Sequence, residues 1–173
     1  MTKKQEPLLD LIKRYKEIKQ KYGHQDEFYK YEAIQHFQEN WNIDSDDFSS
    51  MLKKAIEKQI NLMYSLAYGI ILKLADKYPK ETKELFRFLF DENVDLKERI
   101  KKFDQETDKL FKTLDPDRNG FQDERSVSVY LTFQYPDKYT FFKDSYYSKA
   151  CKLINEKKER KGEKYIHYLA LIE

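Results

Sequence analysis

The chain has 173 residues, of which 40% are apolar and 37% charged, and its net charge is only +2. This length fits a single domain with a substantial core, and the small net charge excludes a surface that is basic all over. The single cysteine, Cys151, excludes an internal disulfide, and the opening residues MTKKQEP lack the apolar segment of a signal peptide.

Charge is unevenly distributed along the chain. Residues 26–50 contain seven acidic residues and one lysine, whereas residues 1–22 contain seven basic and three acidic ones. Residues 127–173 contain nine lysines or arginines and six acidic residues. A local basic face is therefore allowed, as a contact with nucleic acid would require.

The first two thirds of the chain carry apolar residues at helical spacing. This pattern predicts helices over 7–21, 28–41, 48–56, 60–77, 80–90 and 96–114. Asp44 and Ser45 can cap the third helix, Pro79 should open the fifth, and Asp95 should cap the sixth. Residues 60–75 are the most apolar stretch, but Asn61 and Lys73 interrupt it, so a buried helix is predicted rather than a membrane span.

Residues 126–147, SVSVYLTFQYPDKYTFFKDSYY, show a different pattern. Apolar and polar side chains alternate from Ser126 to Tyr135, which is typical of a half-buried strand. Pro136 suits the second position of a turn over residues 135–138, and a second aromatic run follows. The sequence therefore predicts an aromatic β-hairpin over 126–147, followed by a helix around 148–158.

The predicted fold is α+β, a mostly helical bundle packed on this small antiparallel sheet. One domain is expected over 1–173, with a helical part at 7–114 and the hairpin with its following helix at 126–158. Residues 159–173 are interpreted as the possible start of a linker to a C-terminal motor domain.

The sequence contains only weak matches to motifs for catalysis or metal binding. Residues 115–120, DPDRNG, match the first half of a calcium-binding loop, but Ser126 stands where the bidentate glutamate is needed. Asp137 and Glu156 are the acidic residues of a possible divergent metal-dependent nuclease, which would need both on one metal. The chain has no phosphate-binding glycine loop. We therefore predict no enzymatic activity, no catalytic residue, no metal and no cofactor.

The aromatic residues of 126–147 have two interpretations. They can form core, which regular spacing favours. Alternatively, some of them stack on a base while neighbouring lysines contact phosphates, since one or two exposed rings would suffice.

Three segments carry a resemblance to a known family: Tyr29–Ala55, Glu84–Phe103 and Phe121–Ser145. Their most recognisable strings are LFDENVDLKERI and QDERSVSVYLTFQYPDKY. Residues 28–155 resemble the N-terminal region of bacterial McrB-like proteins, which are AAA+ GTPase-type subunits of modification-dependent restriction systems.

The resemblance implies a cytoplasmic DNA-recognition module, of the kind that in some relatives senses a modified base such as a methylated one. It also implies a C-terminal AAA+ motor and a nuclease subunit as partners, and no membrane. A flipped base would need an aromatic slot and polar groups. The expected DNA contacts are Tyr130, Lys138, Tyr139, Phe141, Lys143 and Arg125. A protein–protein docking module of the same system and the metal-dependent nuclease remain as alternatives.

Overall fold

A computed structural model describes residues 6–23 and 27–172, and these residues form helices and no strand. The helices are α1 (Glu6–Tyr22), α2 (Phe28–Asn40), α3 (Phe48–Ala55), α4 (Ser65–Lys77), α5 (Pro79–Leu89), α6 (Leu96–Lys112), α7 (Glu124–Gln134), α8 (Asp144–Leu153) and α9 (Lys164–Ile172). Residues 1–5, 24–26 and 173, which the predicted domain includes, lie outside the described residues.

Local signals in the sequence explain several helix starts. Pro79 opens α5, and the Asp95 carboxylate accepts hydrogen bonds from the backbone N–H groups of Lys97 and Glu98 at the start of α6. Both helix starts agree with the predictions from the sequence. The cap of α3 is Asp47, which accepts from Ser50 N–H, and not Asp44 or Ser45. Each side-chain cap satisfies backbone donors that would otherwise lack partners.

The core is built around aromatic rings. Phe86 of α5 lies 5.3 Å from Trp41, 5.2 Å from Phe103 and 5.0 Å from Tyr130, measured between ring centroids. Phe86, Phe103 and Tyr130 are fully buried. These contacts join α5, α6 and α7 to the end of α2, and α7 lies at the centre of the arrangement.

The predicted α+β fold is wrong, because residues 126–147 form no hairpin. Residues 124–134 are helix α7, and residues 144–153 are helix α8. The turn at 135–138 is present, closed by a hydrogen bond from Lys138 N–H to Tyr135 C=O at 3.1 Å, but it follows a helix.

The alternation of apolar and polar side chains wrongly predicted a strand, because α7 is a helix that is buried on all sides. Every residue from Ser126 to Phe133 is buried, so no face of the helix needs to be polar. The small polar residues on α7 bond to nearby backbone instead of facing water: Ser126 donates to Phe121 C=O, Ser128 to Arg125 C=O, and Thr132 to Ser128 C=O. Asp123, which accepts from Arg125 N–H, starts the helix. Tertiary burial thus overrides the strand preference of the valines and aromatics.

Residues 154–163 cross the surface between α8 and α9. Tyr147 holds this segment, since its hydroxyl accepts a hydrogen bond from Glu159 N–H at 2.8 Å and also bonds His167 Nδ1 at 2.7 Å. Residues 159–173, predicted as the possible start of a linker, contain helix α9, whose Tyr165 is fully buried.

Candidate functional site

A surface groove surrounds Lys161. Three adjoining cavities of about 490, 410 and 370 Å³ share Asp123 and Lys161 in their walls. We call them together the Lys161 groove. Its walls come from α6, the N-terminal ends of α7 and α8, and residues 160–164.

Glu124 fixes one wall of this groove. The side chain is only 6% exposed. Its Oε2 accepts from Gly162 N–H and its Oε1 from Tyr165 N–H, each at 2.9 Å. The carboxylate thereby caps the N-terminus of α9, where the helix dipole favours negative charge. The loop that carries Lys161 is held against α7 as a result.

Three further carboxylates of the groove, those of Glu163, Asp144 and Asp123, are also engaged. Glu163 pairs with Lys97 and Arg160, and these hydrogen bonds lower the pKa of Glu163 to about 2. Asp144 pairs with Lys164 at 2.6 Å. Asp123 accepts from Arg125 N–H at 3.1 Å.

Asp104 behaves differently because it is partly buried. Burial raises the pKa of Asp104, and the nearby carboxylates of Asp123, Asp108 and Glu124 raise it further, while Lys161 opposes the shift. The negative charge of Asp104 is thus disfavoured by its surroundings. The positive charge of Lys161 acts on Asp104 and also on Asp108.

Four cations remain open to a ligand in the Lys161 groove. No carboxylate of the described part of the chain forms an ion pair with the side chains of Lys101, Arg125, Lys143 or Lys161. Backbone oxygen orients Arg125, whose Nε donates to Leu62 C=O at 3.2 Å. The Lys143 Nζ lies 5.0 Å from the ring centroid of Tyr146, which is 62% exposed.

Two of the six residues predicted from the sequence, Arg125 and Lys143, therefore line the same groove. Tyr130 does not, since it is fully buried and its hydroxyl donates to Gln122 Oε1 at 2.8 Å. Phe141 is half-buried and packs on Phe133, with ring centroids 6.1 Å apart. The Tyr130 ring is thus closed to a base, and the Phe141 ring is partly covered.

Lys138 and Tyr139 belong to a separate cluster with Glu92 and Arg99. The Tyr139 hydroxyl donates to Glu92 Oε1 at 2.7 Å and accepts from Arg99 at 2.8 Å. Arg99 also pairs with Glu92 at 2.7 Å, and Lys138 pairs with the same carboxylate. Burial alone would raise the pKa of Glu92, but the hydrogen bonds from Lys138, Tyr139 and Arg99 outweigh it and lower the pKa. We call these four residues the Glu92 cluster.

Sequence reasoning missed Lys101, Lys161 and the exposed ring of Phe121. Phe121 is 37% exposed, has φ of 53° and contacts Tyr64 with ring centroids 5.7 Å apart. A bulky residue rarely adopts a positive φ. Its loop is held in place because Gly120 N–H donates to Asp108 at 2.8 Å. The one signal for Lys161 in the sequence is that it lies in the charge-rich run EKKERKGEK at residues 156–164.

Within residues 6–23 and 27–172, no cluster of histidine, cysteine or acidic side chains is arranged to hold a metal. Across the same residues, every helix is too short or too polar to cross a membrane. Comparisons with protein-family models, with curated proteins and with solved structures found no match.

Proposed function

We propose that this chain is a DNA-binding module that contacts the phosphate backbone through the Lys161 groove. The observation that carries the proposal is the set of four cations without carboxylate partners on one face, two of which, Arg125 and Lys143, are also expected DNA contacts from the sequence. Phosphate contacts of this kind supply most of the affinity of non-specific DNA binding.

The groove also contains acidic residues, and three of them are already bound within the fold. Glu124, Glu163 and Asp144 are bound to backbone N–H groups or to other cations. Lys101, Arg125, Lys143 and Lys161 are therefore the charges available to an incoming anion. No side chain caps α8 at Lys143, so the first backbone N–H groups of α8 add further donors for a phosphate.

The exposed rings near the groove are not the rings that the sequence predicted as base contacts. Tyr130 and Tyr139 are buried, whereas Phe121 and Tyr146 are exposed and lie beside groove residues. Stacking on a base stabilises binding by about 1–3 kcal/mol per base. Recognition by stacking would thus rest on Phe121 and Tyr146.

The biological setting of the proposal rests on the sequence resemblance alone. It is that of a cytoplasmic DNA-recognition module in a McrB-like restriction protein, working with an AAA+ motor and a nuclease subunit and sensing a methylated base. The phosphate-binding part of the proposal does not depend on this setting.

The test is the binding of a short fluorescein-labelled duplex, followed by anisotropy over a range of salt concentrations. With four phosphates neutralised, log K should fall against log [salt] with a slope of roughly −3 to −4. Lys161→Ala should lower the magnitude of the slope by about 1. The matched control is Lys80→Ala, an exposed lysine on α5 outside the groove, which should leave the slope unchanged.

Absence of duplex binding at low salt would overturn the proposal, as would an equal loss in Lys80→Ala. Methylated and unmethylated duplexes, together with single strands, form the second arm. A preference among these DNAs that disappears in Phe121→Ala or Tyr146→Ala would assign base recognition to that ring.

A further inference from the structure

Helix α1 exposes large apolar side chains that no other helix in the described part of the chain covers. Leu11 is 54% exposed, Tyr15 55% and Ile18 57%, and every described side chain from Leu9 to Lys21 is exposed. The helix lies against α8 without burying any of these side chains. Contiguous apolar surface of this kind marks an interaction site more often than a solvated face.

The spacing of these residues matches one kind of partner. Leu11, Tyr15 and Ile18 are four and three residues apart, which places them at the d, a and d positions of a heptad. Leu9 and Ile12 are 43% and 40% exposed and extend the apolar surface on one side. Residues at a and d are the ones that form the seam of a helix–helix contact.

The charged residues beside the seam also restrict the kind of partner that can bind. Arg14 at a g position and Lys19 at an e position flank the seam. The acidic residues Asp10 and Glu17 both fall at position c, on the face away from the seam. In a parallel pair of two copies, Arg14 of one helix would face Lys19 of the other, and this repulsion disfavours self-association.

We infer that α1 docks an amphipathic helix of a partner protein that has an apolar seam and acidic residues at its e and g positions. Arg14 also forms an ion pair with Asp10 at 2.9 Å. Both side chains are more than half exposed, so this pair is weak and does not compete strongly with the partner helix. Residues 9–21 of α1 are absent from the walls of the Lys161 groove, so docking and DNA binding use separate surfaces.

The test uses the full chain and two synthetic helical peptides with leucine at a and d. One peptide has glutamate at e and g, and the matched control has lysine there. The chain should bind the labelled glutamate peptide, with affinity falling as salt rises, and should not bind the lysine peptide.

Two variants separate the contributions of the seam and the flanks. Ile18→Asn should weaken binding to the glutamate peptide at least about tenfold, since it removes a buried apolar side chain from the contact. The double variant Arg14→Glu with Lys19→Glu should lose the glutamate peptide and bind the lysine peptide instead. Both variants should keep the thermal unfolding midpoint and the DNA affinity of the parent chain, because these side chains are exposed.

Equal binding of both peptides, or of neither, would overturn the inference. So would a concentration-dependent dimer in sedimentation that Ile18→Asn abolishes, which would assign the seam to a second copy. Binding of anionic lipid vesicles that is lost in Ile18→Asn would assign it to a membrane surface.

Discussion

The Lys161 groove and the Glu92 cluster contain the same kinds of residue but arrange them in opposite ways. In the Glu92 cluster a single carboxylate receives hydrogen bonds from Arg99, Lys138 and Tyr139, and the Arg99 side chain is only 3% exposed. In the groove Glu124 is bound to backbone N–H groups, Glu163 and Asp144 are bound to other cations, and four cations have no ion pair with a described carboxylate.

The difference shows that residue type alone does not mark a binding site. Lys138 and Tyr139 have the chemistry for DNA contact, yet their polar atoms already have partners within the fold. Lys143 and Lys161 have no such partners among the described carboxylates. A polar side chain is available to a ligand only where its polar atoms are not already bound within the fold.

The largest expected effect is on the Glu92 cluster. Arg99→Ala should destabilise the protein by about 3 kcal/mol, because it removes a buried side chain that donates hydrogen bonds to Leu89 C=O, Glu92 and the Tyr139 hydroxyl. Denaturant unfolding gives this change directly. Lys101→Ala, on the same helix but exposed, should stay within about 0.5 kcal/mol of the parent. Equal losses in both variants would erase the contrast between the cluster and the groove.

A smaller effect should appear in the pH dependence of stability. The pKa of Glu92 lies below its usual value of 4.5 in the folded protein. Its charged form therefore stabilises the fold above pH 4.5, and this contribution is lost as the pH falls through the folded-state pKa. Glu92→Gln should cost about 1–2 kcal/mol at pH 7. The gap between variant and parent should close in acid, and a gap that stays constant to pH 2 would contradict the assignment.

The smallest effect compares two lysines on DNA. Lys161→Ala should weaken duplex binding roughly fivefold to tenfold near 0.1 M salt, as the loss of one phosphate contact implies. Lys138→Ala should leave the affinity unchanged, since Lys138 pairs with Glu92 outside the groove. Anisotropy titrations of both variants under one salt condition decide this, and a larger loss in Lys138→Ala would reverse the assignment.

Much of the helical fold follows from local signals. Pro79 and Asp95 start their helices as expected, since capping chemistry is read over a few residues. The failure at 126–147 has a definite cause. A helix buried on every side carries no helical periodicity, and the hydroxyls of Ser128 and Thr132 bond to carbonyls of their own helix. Only the tertiary structure reveals that burial.

The candidate site was predictable in part. Arg125 and Lys143, predicted as DNA contacts from their charge beside an aromatic run, line the groove, and their contact with DNA stays a prediction; the hairpin that was expected to join them does not exist. Tyr130 was misplaced because an aromatic residue in the core and one on the surface have the same pattern in sequence. Lys161 was not found because its position depends on Glu124, which holds Gly162 and Tyr165 from 38 and 41 residues away in the chain.

The double hydrogen bond to Glu124 has a consequence for local unfolding. The amide protons of Gly162 and Tyr165 end on the same carboxylate, so a single opening event, the release of that side chain, frees both of them. In native-state hydrogen exchange they should therefore share one opening free energy, although one belongs to a surface loop and the other to a helix. The loop that carries Lys161 and the start of α9 behave in this respect as one unit of the fold.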